Sequence, residues 1–196
     1  MMIVGMSKPF AFIAAPLLVI VYAVIRILDG LDGERGPGLA WMTGHLAFLA
    51  ALLLFVPVFL NLRRLAGGGR FATGTVAVAL AGTACTVVQI AVDIVIGALA
   101  TDHDDMRAMF SDVIKVPGVD IVVYTVGPVL FFLGLVVVFC QLAVARAVPA
   151  WQAALVVTGA LVLPAGLDLL PVAGVLLFAG LAPFARRVAR GATAHA

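Results

Sequence analysis

Long apolar runs separated by short polar connections organise the whole chain. Six apolar segments can be distinguished, at residues 9–28, 39–62, 73–99, 118–145, 150–167 and 170–185. A helix that crosses a membrane needs about 20 apolar residues, within a range of roughly 17–25. The first four segments reach this length, and the last two are short. The pattern therefore predicts an all-α polytopic membrane protein, a bundle of six transmembrane helices that forms one domain over residues 1–196.

The last two segments belong to one apolar stretch, residues 149–184, which is too long for one span and only just long enough for two. Pro164, Gly166, Asp168 and Pro171 cluster at its middle. Residues of these types interrupt helices and favour turns. A tight helical hairpin is therefore expected there, with its turn close to Asp168.

The composition excludes a water-soluble domain, because 64% of the residues are hydrophobic and only 11% are charged. With six spans, most basic residues fall on one side of the membrane, namely Lys8, Arg63, Arg64, Arg70, Arg146, Arg186, Arg187 and Arg190. Lys and Arg are enriched in cytoplasmic loops. The sequence thus predicts a multi-pass protein of the cell membrane, with both termini cytoplasmic and the lipid bilayer as its partner. The net charge of only +2 argues against a nucleic-acid partner.

All ten acidic residues fall on the other side of the membrane or in that half of it. Four of them lie inside or at the edge of apolar segments: Asp29, Asp93, Asp120 and Asp168. A carboxylate in that position is costly unless it is neutral, paired or hydrated, so it marks a candidate functional site. Asp93, Asp120 and Asp168 are therefore the candidate catalytic acids, and Asp93 is the deepest of them.

Helical spacing places further candidates near these acids. Gln89 precedes Asp93 by one turn, and Tyr124 and Phe131 share a predicted face with Asp120. The second segment carries an aromatic stripe with one histidine at the level of the acids. The predicted substrate-binding residues are Asp29, Trp41, His45, Phe48, Gln89, Tyr124 and Phe131.

Structural roles remain open for the same residues. Asp93 could pair with Arg26, which lies at a similar depth, or could join two helices by hydrogen bonds. Asp120 could be an N-terminal acid that the helix dipole favours. Tyr124 could belong to the interfacial belt of aromatic residues. Asp168 could serve only in the turn, and the aromatic stripe could be packing.

No metal or other cofactor is predicted. His45 is the only histidine inside a predicted span, so a haem held by two histidines would lack its second ligand. His103 with Asp102, Asp104 and Asp105 has the pattern of a solvated loop rather than of a metal site. Cys85 and Cys140 lie in separate spans without a CxxC spacing, which favours packing over a redox pair.

Buried acids beside aromatic rings favour one kind of chemistry. A carboxylic acid in an apolar pocket resists ionisation and can serve as a general acid. Aromatic faces can stabilise the cation that such an acid generates. Proton-initiated cyclisation of an isoprenoid olefin or epoxide requires both parts, with a lipophilic small molecule as substrate. In size, helix count and sparse intramembrane acids, the chain resembles the small bacterial integral-membrane terpene cyclases of meroterpenoid and indole-sesquiterpenoid pathways. The resemblance is one of layout across the whole chain, and it implies the same type of activity.

Two other classes of function remain open. A small proton-coupled transporter or channel could use Asp93 with Gln89 and Thr86 as its coupling site, and at this length it would need to form a homo-oligomer. The predicted cytoplasmic half lacks acids, however, so no continuous relay across the membrane is visible. A non-catalytic accessory protein would use the acids only to brace its helices.

Overall fold

The computed structural model describes residues 3–31, 33–162 and 166–193, and this part of the chain is all-α. Its helices are α1 (Ile3–Asp29), α2 (Leu39–Leu65), α3 (Arg70–Leu99), α4 (His103–Ile114), α5 (Gly127–Val144), α6 (Ala150–Val162) and α7 (Leu170–Thr193). A π-helix, Val119–Val126, leads directly into α5, and a short 3₁₀ turn, Leu167–Leu169, leads into α7. The all-α prediction is confirmed.

Within the described residues, five helices are long and apolar enough to cross a membrane. They are Pro9–Asp29, Leu39–Leu65, Arg70–Leu99, Val119–Val144 and Leu167–Arg186. They correspond to five of the predicted segments. Five helices of this length and composition are consistent with a multi-pass membrane protein. The count of six spans is not confirmed. Helix α6, in the remaining segment, has 13 residues. At about 1.5 Å per residue it extends roughly 20 Å, less than the ~30 Å apolar core of a bilayer.

Helices α6 and α7 nevertheless pack against each other as an antiparallel pair. Gly159 lies against the backbone of Ala173, and Gly180 lies against Gln152 at the other end of the pair. Of the residues expected in the hairpin turn, 163–165 lie outside the described part of the chain. Gly166 and the 3₁₀ turn that contains Asp168 follow, and Pro171 occupies the first turn of α7, where its missing N–H costs nothing.

Six of the helices form a closed ring, in the order α1, α2, α3, α5, α6 and α7, with α7 packed back on α1. Close approach of the backbones depends on small residues at the crossings, as is common between membrane helices. A side chain on Gly82 of α3 would collide with the backbone of Phe131 in α5. A side chain on Gly174 of α7 would come within 2.7 Å of Ile20 in α1. The ring therefore owes its tight α3–α5 and α7–α1 contacts to glycines.

The two ends of the ring differ in content. At one end, which we call the packed end, the aromatic side chains Phe12, Phe55, Phe59, Phe139 and Phe184 are fully buried. The ring of Phe184 contacts Phe12 and Phe139, with centroids 5.5 and 5.7 Å apart, and Phe55 contacts Phe59 at 6.1 Å. The other end holds the C-termini of α1 and α3, the N-terminus of α2 and all of α4, and we call it the α4 end.

Helix α4 is a short polar helix that covers part of the α4 end. Its first turn is capped by Asp102, whose carboxylate accepts a hydrogen bond from the backbone N–H of Asp105 at 2.9 Å. Met106 is its one buried side chain among those described. Phe110 meets the ring of Trp41 edge-on, with centroids 6.1 Å apart. Helix α4 thereby places two apolar side chains over the N-terminus of α2.

Candidate functional site

Asp93 is the centre of a polar cluster inside the α4 end. It lies in α3 with 6% of its surface exposed. One carboxylate oxygen, Oδ1, accepts a hydrogen bond from the hydroxyl of Tyr124 at 2.9 Å. The other oxygen, Oδ2, lies 3.8 Å from Nε2 of His45. Asp93 is therefore held between the π-helix that carries Tyr124 and helix α2 that carries His45.

Trp41 fixes the geometry of this cluster. Its indole N–H donates to the backbone carbonyl of Asp93 at 3.0 Å, and its ring stacks on His45 with centroids 4.1 Å apart. Gly97, one turn beyond Asp93, leaves the space that the indole occupies, since a Cβ there would overlap the ring. One side chain thus orients both members of the Asp93–His45 pair.

The hydrogen bonds of His45 determine which of its ring nitrogens carries a proton. Its Nδ1 lies 2.8 Å from the backbone carbonyl oxygen of Trp41. A carbonyl oxygen can only accept, so Nδ1 carries the N–H. In a neutral imidazole Nε2 then presents a lone pair, and this lone pair faces the carboxylate oxygen of Asp93. The two groups can therefore share one further proton, carried either by the carboxyl group of Asp93 or by Nε2 of His45.

The separation of this pair decides how that proton is held. A distance of 3.8 Å between Nε2 and Oδ2 is longer than a direct hydrogen bond. The proton therefore belongs to one partner at a time and is not locked in a short bond between them. A pair of this kind can release the proton to a third group or receive one from it.

Aromatic rings surround the pair on the α1 side. Tyr22 meets the ring of His45 edge-on at 5.4 Å, and Phe48 stacks on Tyr22 at 4.7 Å. Together with Trp41, which stacks on His45, these rings form an aromatic group around the imidazole that neighbours Asp93. The faces of aromatic rings attract cations.

A small cavity lies beside His45. Its polar lining comes from Tyr22, Arg26, Asp29 and His45, and its volume is about 10 Å³, which is the space of one water molecule. The Nε of Arg26 is buried and has no hydrogen-bond partner in the described structure. An uncompensated donor therefore lies next to this space.

A second, larger pocket of about 300 Å³ lies on the far side of Trp41. It is formed by the loop before α2 and by α4, and its lining includes Arg35, His103 and Phe110. Nδ1 of His103 lies 3.3 Å from the carboxylate of Glu34 across this pocket. Trp41 lines both cavities, and its indole N–H donates to the backbone of Asp93.

The π-helix explains why Tyr124 reaches Asp93. Its backbone bonds skip one residue more than in an α-helix, as in the N–H of Gly127 donating to the carbonyl of Val122. The sequence pattern assumed α-helical spacing and placed Asp120 on the face of Tyr124, Gly127 and Phe131. In the structure Asp120 is exposed, Tyr124 is half-buried and Phe131 is buried. π-helical turns are rare and are frequent at functional sites.

The structure brings some predicted residues together and separates others. Asp93, His45, Tyr124 and Trp41 are in contact, as described above, while Phe48 is one ring away and Asp29 lines the small cavity. Asp168 is exposed and pairs with Arg35 on the surface, with 3.3 Å between Nη2 and Oδ1.

Two further candidates lie away from the carboxyl group of Asp93. Phe131 packs on Phe55 and Phe59, at 5.1 and 5.6 Å between centroids, in the direction of the packed end. Gln89 lies one helical turn from Asp93, and its side-chain oxygen is buried without a hydrogen-bond partner.

The alternative partner for Asp93 is not observed. Within the described residues no ion pair joins Arg26 to Asp93, and the hydroxyl of Tyr124 is the group that donates to the carboxylate. Tyr22 contributes to the site but was not among the predicted site residues, and Gln152, a buried polar residue away from the site, was not predicted either. Tyr22 could have been identified from its spacing of four before Arg26. Gln152, fully buried in α6, donates to the carbonyl of Gly180 at 2.9 Å, and its pattern gave no indication of this role.

Comparison of this chain with protein families, with characterised proteins and with solved structures finds no match. Across the described residues, no group of three or more His, Cys, Asp or Glu side chains is arranged to hold a metal ion.

Proposed function

We propose that this protein is a membrane-embedded enzyme in which Asp93 protonates a lipophilic isoprenoid substrate and so starts its cyclisation. One observation carries the proposal. The carboxyl group of Asp93 is buried, accepts a hydrogen bond from the Tyr124 hydroxyl and lies 3.8 Å from Nε2 of His45, which makes it an acid beside a group that can return its proton. A general acid of this type contributes roughly 10²–10⁴-fold to a rate.

In the proposed reaction, the O–H bond of Asp93 breaks as its proton adds to a substrate double bond or epoxide oxygen. The carboxylate left behind is stabilised by the hydrogen bond from Tyr124. The substrate cation is attacked by the π electrons of a second double bond, which closes the ring. The faces of Trp41, Tyr22 and Phe48 stabilise the positive charge until a proton is lost from carbon. Product and substrate then have the same atomic composition.

Access of the substrate is proposed to be lateral, from the bilayer. None of the residues of the π-helix is buried, and Ile121 and Val122 are among its most exposed side chains. The Tyr124 side chain is half-buried at this face and touches Asp93. A lipophilic chain that slides along the π-helix would therefore meet the acid without crossing the aqueous loops.

The proposed topology keeps six membrane helices with both termini in the cytoplasm. Its support is the closed ring in which α6 takes a place equal to that of the longer helices. The basic residues Arg63, Arg64 and Arg70 lie at the packed end, where α2 ends and α3 begins. By the positive-inside rule the packed end faces the cytoplasm and the α4 end faces away from it.

The packed end favours an enzyme over a proton-coupled transporter. A transporter needs ionisable or hydrated groups along its whole path. The fully buried large side chains at the packed end are aromatic or aliphatic apart from Gln152, which is tied to Gly180. Asn61 is buried there as well, and it donates to the carbonyl of Pro57 in its own helix at 2.7 Å.

The proposal can be tested with the purified protein in lipid vesicles. Acyclic isoprenoid olefins and their terminal epoxides of several chain lengths are added, and the products are separated and weighed by mass spectrometry. We expect cyclic products with the mass of the substrate, at a rate above that of protein-free vesicles. Failure to convert any member of the series would contradict the proposal.

A further inference from the structure

The small cavity beside His45 has the properties of a buried water site. Buried waters need about 10–15 Å³ of free space and two to four polar partners. The cavity offers about 10 Å³ and is lined by the polar side chains of Tyr22, Arg26, Asp29 and His45. Its size excludes an organic ligand, and four of the eight residues that line it carry groups able to hydrogen-bond to a water.

Arg26 supplies an independent reason for a water at this position. Its Nε is buried, and no acceptor in the described structure receives the N–H. An unsatisfied buried donor of a charged group costs more than the roughly 1–3 kcal/mol of a neutral one. A water in the adjacent cavity would accept this N–H and remove the cost. One water in this cavity would thus account for both the free space and the unpaired N–H of Arg26.

The cavity also lies in the right place to connect the site with solution. Asp29 is the last residue of α1, next to the polar loop of residues 30–38 at the α4 end. His45 also lines the cavity, and its Nε2 lies 3.8 Å from Oδ2 of Asp93. A water between Asp29 and His45 is therefore one step from the aqueous boundary and one step from the proposed acid.

We propose that this cavity holds one ordered water, and that Asp29, the water and His45 form the route by which Asp93 regains its proton. The carboxyl O–H of Asp29 breaks as a water O–H forms. The water passes one of its protons to Nε2 of His45, which passes it to Oδ2 of Asp93. One proton enters from solution for each proton that Asp93 gives away, and nothing is oxidised or reduced. Arg26 is a positioning residue that holds the water. The route rests on the proposed function only in that Asp93 stores the proton.

Infrared spectroscopy of the protein in lipid vesicles can test this route without any substrate. The C=O band of a protonated Asp93 is identified as the band that is missing in Asp93→Asn. On transfer to D₂O this band shifts when the carboxyl proton exchanges, and the time course reports the route. In Asp29→Asn we expect exchange to slow by roughly tenfold or more, because the first carrier is lost. Arg26→Lys, which removes the Nε donor but keeps the charge, should slow it as well.

Asp112→Asn is the matched control, because Asp112 is an exposed acid of the same α4 end, paired with Lys115. Its exchange rate should equal that of the unmodified protein. Exchange at the unmodified rate in both Asp29→Asn and Arg26→Lys would overturn the route while leaving the acid role of Asp93 intact. If exchange is slowed in the variants but the protein converts no isoprenoid, the proton route is supported and the proposed enzyme activity is contradicted. Absence of the Asp93 band would contradict both.

Discussion

The packed end and the α4 end of the same ring of helices differ in what they bury: one buries apolar aromatic side chains and the other buries polar groups. At the packed end, five phenylalanines are fully buried, and their rings fill the space between the helices. At the α4 end, the helices hold Asp93 against His45 and Tyr124, beside a cavity of the size of one water. Burying apolar rings stabilises a fold, whereas burying a carboxyl group costs free energy unless it is compensated. The comparison indicates that the packed end maintains the structure that the α4 end uses.

The largest expected effect separates stability from chemistry at the packed end. Phe139→Ala removes a ring that packs against Phe184 and leaves a cavity, which costs about 3–5 kcal/mol of unfolding free energy. Thermal unfolding in detergent measures this loss. Protein that is still folded should keep its activity per molecule, because Phe139 lies far along α5 from the Asp93 cluster. A selective loss of activity without a loss of stability would contradict the division between the ends.

Tyr124→Phe tests the α4 end in the opposite sense. The substitution keeps the ring and removes the hydroxyl that donates to Asp93. A hydrogen bond to a charged group is worth about 1.5–3 kcal/mol. Without it the Asp93 carboxylate that forms in the reaction is less stable, so product formation should slow roughly ten- to a hundredfold. The rate of product formation and the unfolding temperature are measured together. Unchanged rates would show that Tyr124 does not stabilise the carboxylate.

The crossing of α3 and α5 connects the two ends, and glycine is required there. Gly82→Ala places a methyl group against the backbone of Phe131, and overpacking of this kind costs about 1–3 kcal/mol. Gly74 provides the control in the same helix, because nothing lies within 4 Å of a Cβ added there. Gly74→Ala should leave stability unchanged or raise it by up to about 1 kcal/mol. Equal unfolding temperatures for the two variants would contradict the close crossing.

The smallest effect is expected at Trp41, which lines both cavities. Trp41→Phe keeps an aromatic ring over His45 but removes the indole N–H that donates to the carbonyl of Asp93. Loss of one such bond costs about 0.5–1.5 kcal/mol and should lower activity several-fold by loosening the Asp93–His45 pair. Trp151→Phe, at an exposed position in α6, is the control and should change neither stability nor activity. Equal behaviour of the two variants would argue against this positioning role.

Hydropathy was sufficient to predict most of the fold. It placed five of the long helices, because a membrane span is a property of composition and length. It did not reveal that the described helix α6, Ala150–Val162, is shorter than the other spans, since the apolar composition continues into α7. It also could not distinguish a π-helix from an α-helix at Val119–Val126. Whether the segment forms a π-helix depends on how it packs. Because its turns are wider than those of an α-helix, Asp120 does not share a face with Tyr124.

The site was predictable to the extent that helical spacing determines depth. Asp93, His45 and Trp41 were expected at one level of the membrane, and the structure joins them through direct contacts. Asp168 was expected near them, but it lies on the surface, where the loop brings Arg35 to it. Loop conformation has no hydropathy signal. The sequence also could not predict that Nδ1 of His45 carries the proton, because this follows from one hydrogen bond to a backbone carbonyl.

The most direct test of the acid role is the product formed by Asp93→Asn per molecule of folded protein. Asparagine keeps the size of the side chain and can still hydrogen-bond to Tyr124, but it has no acidic proton. Product formation should fall by about 10²–10⁴-fold while abundance in the membrane stays near that of the unmodified protein and of Asp112→Asn. Normal product formation at normal abundance would contradict catalysis by Asp93. Loss of the protein from the membrane would indicate that Asp93 only braces the helices.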